Sequence, residues 1–179
     1  GYVMNVGPKL DYFYLHETDD ATPIPADRAG YFDLTSSDSA TDLRRETTLA
    51  LEQLSIPVAY SYHSNAPSQN AIELRYAEAV TCADNIMTAR LIIRQQAHAH
   101  GLMASFMPKP LTGVSGSAMF VHESLLTEDG NAFYDANDPD GYGLSTLAKR
   151  YIAGILKYAP EFMLVTNQYV NSYKRLVTG

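Results

Sequence analysis

Hydrophobic positions recur along this chain of 179 residues with two different periods. The segment from Tyr2 to Leu15 is rich in Tyr, Val and Phe, and it predicts one or two strands, broken or bulged at Gly7-Pro8. Further strands are predicted at residues 57–64, 70–76, 102–110 and 115–126, with a turn at 65–69. Residues 16–39 hold Pro, Gly and small polar side chains and predict a long loop, a kind of segment that is usually functional or mobile.

Three helices are predicted where apolar residues recur every three or four positions. The first spans 40–55, with Ser39 or Thr41 as its N-cap, and ends before Ile56-Pro57. The second spans 77–100, with Gly101 as the glycine that follows its C-terminus. The third spans 145–160 and is stopped by Pro160. Strands and helices that mix without a regular βαβ rhythm indicate an α+β fold with a mostly antiparallel sheet.

The predicted strand at 115–126 presents two different faces, because alternate residues of a strand point to opposite sides. One face carries Ser117, Met119, Val121 and Glu123. The other carries Ala118, Phe120, His122 and Ser124.

Composition limits the class of protein. A hydrophobic fraction of 46% fits one globular domain, and a net charge of −7 disfavours nucleic-acid partners. Cys82 is the one cysteine, so it cannot form an intramolecular disulfide, and we expect it to be a buried apolar residue in a reducing compartment. Neither a membrane span nor a signal-peptide pattern is found, so we expect a soluble, cytoplasmic protein without a membrane partner.

Other groups of charged residues are interpreted as solvated surface. Asp19-Asp20 and the acidic cluster at 135–140 lack the spacing of a calcium loop. His98 and His100 fall near the end of the second helix, where histidine interacts favourably with the helix dipole.

Several segments resemble, in the same order, segments of the glutamine synthetase family, specifically the catalytic domain of its bacterial-type class. They are GYFD, HGLMASFMPKP, GVSGSAMFVHESL, NAFYD, LSTLAKRYIAGIL and VTNQYVNSYKRLVTG. The resemblance extends over nearly all of residues 1–179. It implies a curved antiparallel sheet flanked by helices, and an ATP-dependent ligation of glutamate with ammonia or a larger amine.

The resemblance also implies an assembly and a set of cofactors. Family members form rings with each site between two subunits, use Mg²⁺ or Mn²⁺ with ATP, and carry a small N-terminal domain. We therefore expect residues 1–179 to be a partial catalytic domain that lacks the family's N-terminal domain and C-terminal part. The full-length protein is expected to be a homo-oligomer, with ATP and a glutamate-like amino acid or an amine as possible ligands.

Most of the metal-binding positions that the resemblance implies hold other residue types here. Lys9 stands where the first glutamate is expected, and Asp11 stands where the second is expected. Ser64 and Ala71 occupy the positions of two further glutamates, and Phe120 that of a histidine. Asp11 is the only surviving candidate for a metal ligand, so we expect divalent-ion binding to be weak or absent.

Other positions of the family's site are retained. The resemblance implies nucleotide contacts for Tyr76, His122 and Ser124, and substrate contacts for Gly116, Ser117 and Arg175. Tyr76 has the alternative of packing under the following helix, and Arg175 that of a structural ion pair. Gln69 and Arg75 also match the family.

Three functions follow from this pattern, and no catalytic residue is assigned. The first is a glutamine synthetase-like pseudoenzyme that keeps the scaffold but has lost the metal ligands. The second is an active glutamate-ammonia or γ-glutamyl-amine ligase whose metal is held elsewhere. The third is a structural or regulatory subunit of an oligomer.

Overall fold

One long strand, β1 (Val3–His16), organises the fold. The computed structural model describes residues 1–19, 22–33 and 40–176. Within these residues the other strands are β2 (Ile24–Pro25), β3 (Val58–His63), β4 (Gln69–Leu74), β5 (Ala77–Glu78), β6 (Leu102–Ser105), β7 (Met119–Thr127) and β8 (Gly130–Asn131). All strand pairs are antiparallel, and the main order is β3-β4-β1-β7-β8. Short β2, β5 and β6 also pair with β1. The α+β, mostly antiparallel prediction is confirmed.

The predicted break at Gly7-Pro8 is wrong, because β1 runs through both residues without interruption. On one side, β7 pairs with β1 from Val3 to Leu10. On the other side, β5 pairs as far as Val6 and β4 begins at Lys9. The sheet therefore has a gap beside Pro8, and a residue without an N–H group fits there with no loss of a ladder hydrogen bond.

The main core lies between the sheet and two helices, α1 (Thr41–Gln53) and α2 (Ala79–Ala99). Alternate residues of β1 enter it, and it is completed by both helices. Its most buried members include Leu10, Tyr12, Tyr14, Leu51, Ile72, Ala89, Ile93 and Ala97. Each fully buried large apolar side chain contributes about 1.5–3 kcal/mol, so this layer holds the sheet rigidly under the opposite face.

Helix α1 begins differently from the prediction. Its N-cap is Ala40, which makes no side-chain capping bond, and Thr41 is the first helical residue rather than the cap. Ser39 lies outside the described residues. The side chain of Thr41 instead accepts a hydrogen bond from Arg44, at 3.4 Å.

Helix α2 agrees closely with its predicted span. The carboxylate of Glu78 caps its start by accepting from the N–H groups of Val80 and Thr81, and Gly101 follows its end with a φ of 68°. Cys82 is buried, as predicted. The apolar positions Val80 and Met87, in contrast, are exposed, because they lie outside the buried face of the helix, which is formed largely by small residues.

The predicted stop at Pro160 is wrong, since α3 (Thr146–Thr166) continues past it, and α4 (Val170–Arg175) follows. A proline inside a helix removes the hydrogen bond to the carbonyl four residues earlier. Here that carbonyl belongs to Leu156, and both residues lie on the exposed side of α3, where water can replace the missing bond.

The acidic loop before α3 is more ordered than predicted. The side chain of Asp138 is almost fully covered and accepts from the N–H groups of Tyr142 and Leu144, both at 3.1 Å. Lys149 contacts both Asp138 and Asp140 at 2.6 Å. The hydrogen bond from Lys149, aided by these N–H groups, lowers the pKa of Asp138 to about 2. Asp138 therefore organises the loop, whereas Asp19 is exposed and Asp20 lies outside the described residues.

In the described part of the chain, every helix is too short or too polar to cross a membrane.

Candidate functional site

Strand register brings the sequence-predicted site positions to one face of the sheet, opposite the main core. Lys9 of β1 is paired with Glu73 of β4 and with Phe120 of β7. Asp11 is paired with Ala71, and Gly7 with His122. Because paired residues point to the same side of a sheet, these side chains share a face. We call it the site face, and it includes Gly7, Lys9, Asp11, Tyr60, Tyr62, Ala71, Glu73, Phe120 and His122.

The ammonium group of Lys9 lies at the centre of the site face. Its Nζ is 4.7 Å from the centroid of the Phe120 ring and 5.5 Å from that of the Tyr62 ring, distances typical of cation–π contacts. Burial lowers the pKa of Lys9, but a hydrogen bond with Tyr62 and the charge of Asp11 outweigh this and raise it above its ordinary value. Lys9 is therefore a fixed positive charge at neutral pH.

Asp11 is a buried carboxylate with one satisfied oxygen. Its Oδ2 accepts from the N–H of Ala118 at 3.1 Å, whereas Oδ1 has no hydrogen-bond partner and lies 3.8 Å from Lys9 Nζ. Burial raises the pKa of Asp11, and the opposing effects of the Ala118 N–H, Lys9 and Arg175 do not fully compensate. The contact with Lys9 is thus a long ion pair.

The donor set around Lys9 does not fit a divalent ion. Mg²⁺ and Mn²⁺ need several oxygen ligands at short distances. Ala71 contributes a methyl group and Phe120 a ring, and the ammonium of Lys9 would repel a cation placed beside Asp11. No cluster of three or more His, Cys, Asp or Glu side chains suitable for a metal occurs among the residues that the structure describes.

A cleft at one end of the site face is lined by two of the predicted nucleotide residues, Tyr76 and His122. Its volume is about 490 Å³, and its lining includes Gly7, Tyr60, Glu73, Tyr76 and His122. Tyr76 is 56% exposed, and its ring lies directly over Gly7, at the place where any larger residue would have its Cβ. The alternative in which Tyr76 packs under the following helix is therefore wrong. Ser124 lies further along the same face of β7, paired with Asn5.

Gly116, Ser117 and Arg175 come together near Asp11. Arg175, Ser117 and Asp11 line a cavity of about 500 Å³. The Ser117 hydroxyl and the Arg175 Nε are buried without a hydrogen-bond partner, as is Asp11 Oδ1. The carbonyl of Gly116 accepts from Gln69 Nε2 at 3.0 Å, which connects this loop to β4.

Two features of the site were missed by sequence reasoning. Tyr62 approaches Lys9, and its hydroxyl donates to Glu73 at 2.8 Å. Beyond β3 and β4, the Asp27 carboxylate accepts from the Ser68 N–H at 2.9 Å and is 3.1 Å from His63 Nε2. The alternation of β3 and β4 was visible in the sequence, but the partners of each residue depend on the pairing register.

These features define a class of protein: an α+β domain with a curled antiparallel sheet, helices on one face and a cluster of polar residues on the other. A family model described as the glutamine synthetase catalytic domain matches residues 1–179. The chain is 50% identical over 182 residues to the glutamine synthetase of Clostridium saccharobutylicum, which it matches over its whole length. The chain therefore belongs to the glutamine synthetase catalytic-domain family.

Solved structures agree with this assignment. The cryo-EM structure of Plasmodium falciparum glutamine synthetase matches 99% of the chain with a TM-score of 0.93 and 26% identity, over 40% of its own length. A GmaS/ADP complex matches 99% of the chain with a TM-score of 0.84 and 28% identity, over 41% of its own length. The chain likewise spans 40% of the Clostridium saccharobutylicum protein.

Proposed function

We propose that this chain is a glutamine synthetase-like pseudoenzyme domain, which keeps the ligase scaffold but lacks metal-dependent ligation. The observation that carries this proposal is the position of Lys9. Its ammonium lies on the site face between Phe120 and Tyr62, 3.8 Å from Asp11. The family resemblance implies ligands of divalent ions at the positions of Lys9, Asp11 and Phe120.

Electrostatics explains why this replacement matters for ligation. In phosphoryl transfer, metal ions bridge the phosphate oxygens and neutralise the charge that develops in the transition state. One ammonium carries half the charge of a divalent ion and cannot hold several oxygens in a fixed array. A site with Lys9, Ser64, Ala71 and Phe120 is therefore expected to ligate glutamate slower by orders of magnitude.

Other parts of the site support retained ligand binding. We assign Tyr76, His122 and Ser124 to a nucleotide subsite, and the similarity of the chain to GmaS in its complex with ADP supports this choice. We assign Gly116, Ser117 and Arg175 to a subsite for a glutamate-like amino acid or an amine, beside the cavity whose lining residues carry four buried polar atoms without a hydrogen-bond partner.

The assembly is also a proposal, because the chain spans 40% of its relatives' length. We infer that residues 1–179 form part of the catalytic domain and that the full-length protein is a cytoplasmic homo-oligomer. The alternative role, a structural or regulatory subunit, would instead require an oligomer that also contains an intact relative.

Metal binding by the full-length protein tests the proposal directly. Manganese binding is measured by electron paramagnetic resonance for the unaltered protein and for a variant that carries Lys9→Glu, Ser64→Glu, Ala71→Glu and Phe120→His. The unaltered protein is expected to show no saturable binding at this site. The fourfold variant is expected to gain it, because three carboxylates and an imidazole join Asp11.

A matched control separates site formation from added charge. Lys157→Glu also replaces a lysine by a glutamate, but on the exposed side of α3, and it is expected to leave manganese binding unchanged. Two ions bound by the unaltered protein, or magnesium-dependent formation of glutamine from ATP, glutamate and ammonia, would show an active ligase instead. No gain in the folded fourfold variant would show that the site is wrongly placed.

A further inference from the structure

The nucleotide cleft and the Lys9 ammonium lie next to each other on one strand. Gly7, under the Tyr76 ring, and Lys9 are two residues apart in β1, so their side chains point to the same face about 7 Å apart. The pairs Gly7–His122 and Lys9–Phe120 continue this arrangement on β7. The site face therefore combines an exposed aromatic ring and a fixed cation at a separation that one small molecule can span.

The Lys9 side chain is held in place, yet its charge remains accessible. Its Nζ lies over the rings of Tyr62 and Phe120, and its side chain is 21% exposed. An ammonium has three N–H donors. The hydrogen bond to Tyr62 uses one, and the ion pair to Asp11 is long, at 3.8 Å. At least one donor is thus available to an anionic ligand.

We propose that this site binds a nucleoside phosphate without a divalent ion, with the base at Tyr76 and a phosphate oxygen accepting directly from the Lys9 ammonium. This inference rests on the proposed function, because it gives Lys9, which stands where the resemblance implies a metal ligand, a role in the nucleotide subsite. Charge-assisted hydrogen bonds from ammonium to phosphate are strong, and a base stacks favourably on an aromatic ring.

The surrounding charges favour a nucleoside phosphate over inorganic phosphate. Asp11 and Glu73 lie on either side of Lys9 and weaken its attraction for an isolated anion. Stacking on Tyr76 adds affinity that inorganic phosphate cannot obtain. Adenosine, in turn, would use the aromatic cleft but not Lys9, so ADP and adenosine report on the two parts separately.

The test measures binding of ADP, adenosine and inorganic phosphate to the full-length protein by isothermal titration calorimetry in excess EDTA. ADP is expected to bind about tenfold more tightly than adenosine, the effect of one charge-assisted hydrogen bond. Lys9→Met is expected to reduce ADP affinity to that of adenosine, whereas Lys9→Arg, which keeps the charge, retains most of the difference. Lys157→Met, a lysine on the exposed side of α3, serves as the matched control and should match the unaltered protein.

Several outcomes would overturn the inference. They are equal affinities for ADP and adenosine in EDTA, an ADP affinity unchanged by Lys9→Met, or phosphate binding as tight as that of ADP. These outcomes leave the pseudoenzyme proposal intact if manganese does not bind. ADP binding that requires magnesium, together with manganese bound to the unaltered protein, would overturn both. If circular dichroism shows that Lys9→Met is unfolded, Lys9→Arg decides, and a loss of the ADP preference in that folded variant would contradict the direct phosphate contact.

Discussion

Asp27 connects its own segment to the turn between β3 and β4, and its removal gives a sharp test of the fold. Its carboxylate accepts from the N–H groups of Ser68, at 2.9 Å, and Ala29, at 3.1 Å, and also contacts His63. All of these groups are buried. Asp27→Ala would leave two backbone N–H groups and an imidazole without this acceptor.

The expected loss of stability follows from these contacts. A buried group left without a partner costs about 1–3 kcal/mol, and losses at groups that share one partner do not add in full. We therefore expect Asp27→Ala to lower the free energy of unfolding by about 3 kcal/mol. Urea denaturation followed by circular dichroism measures this. Asp42→Ala is the control, since Asp42 is exposed and its ion pair with Arg45 is long, at 3.9 Å, so its effect should stay within about 0.5 kcal/mol.

The pH dependence of this difference provides a second check. Burial, the largest single influence, raises the pKa of Asp27, but hydrogen bonds from His63 and Ser68 outweigh it, so the pKa lies below the ordinary value of 3.8. A carboxylate with a lowered pKa stabilises the fold above its unfolded pKa, and this contribution is lost as pH falls through the folded pKa. The difference between the unaltered protein and Asp27→Ala should shrink below about pH 4. A loss under about 1 kcal/mol at pH 7, or one equal to the Asp42→Ala control, would refute the reasoning.

Two further predictions concern the loop that contains Gly116 and the loop that contains Asp138. A Cβ at Gly116 would overlap the backbone carbonyl of Pro108, so Gly116→Ala should destabilise the protein by about 1–3 kcal/mol in urea denaturation. Gly154 lies in α3 with open space around it, so Gly154→Ala should instead stabilise the protein by about 0.5–1 kcal/mol. Equal changes in stability for Gly116→Ala and Gly154→Ala would contradict the packing described around Gly116. The pKa of Asp138, about 2 against 3.8 when unperturbed, implies that its stabilising effect is present above about pH 4 and lost as pH falls through 2. Lys149→Met should raise this pKa in a carbon-13 NMR titration, and no change would show that Lys149 does not set it.

Helix α2 shows how much of the fold local sequence can define. Its span was predictable from hydrophobic spacing and from Gly101, because helix ends depend on capping within a few residues. The end of α3 was not predictable in this way. Pro160 opposes a helix locally, but its position on the exposed side of α3 let the helix continue.

By itself, the sequence determined which residue types stand at the site: an amine at Lys9, a methyl at Ala71 and a ring at Phe120. It also determined the alternation that gives each strand two faces. Only the tertiary structure decided that these side chains share a face with Tyr62 and Glu73, and that Lys9 lies between two rings and beside Asp11. The physical reason is that strand register arises from pairing between residues more than 50 positions apart, which no local pattern encodes.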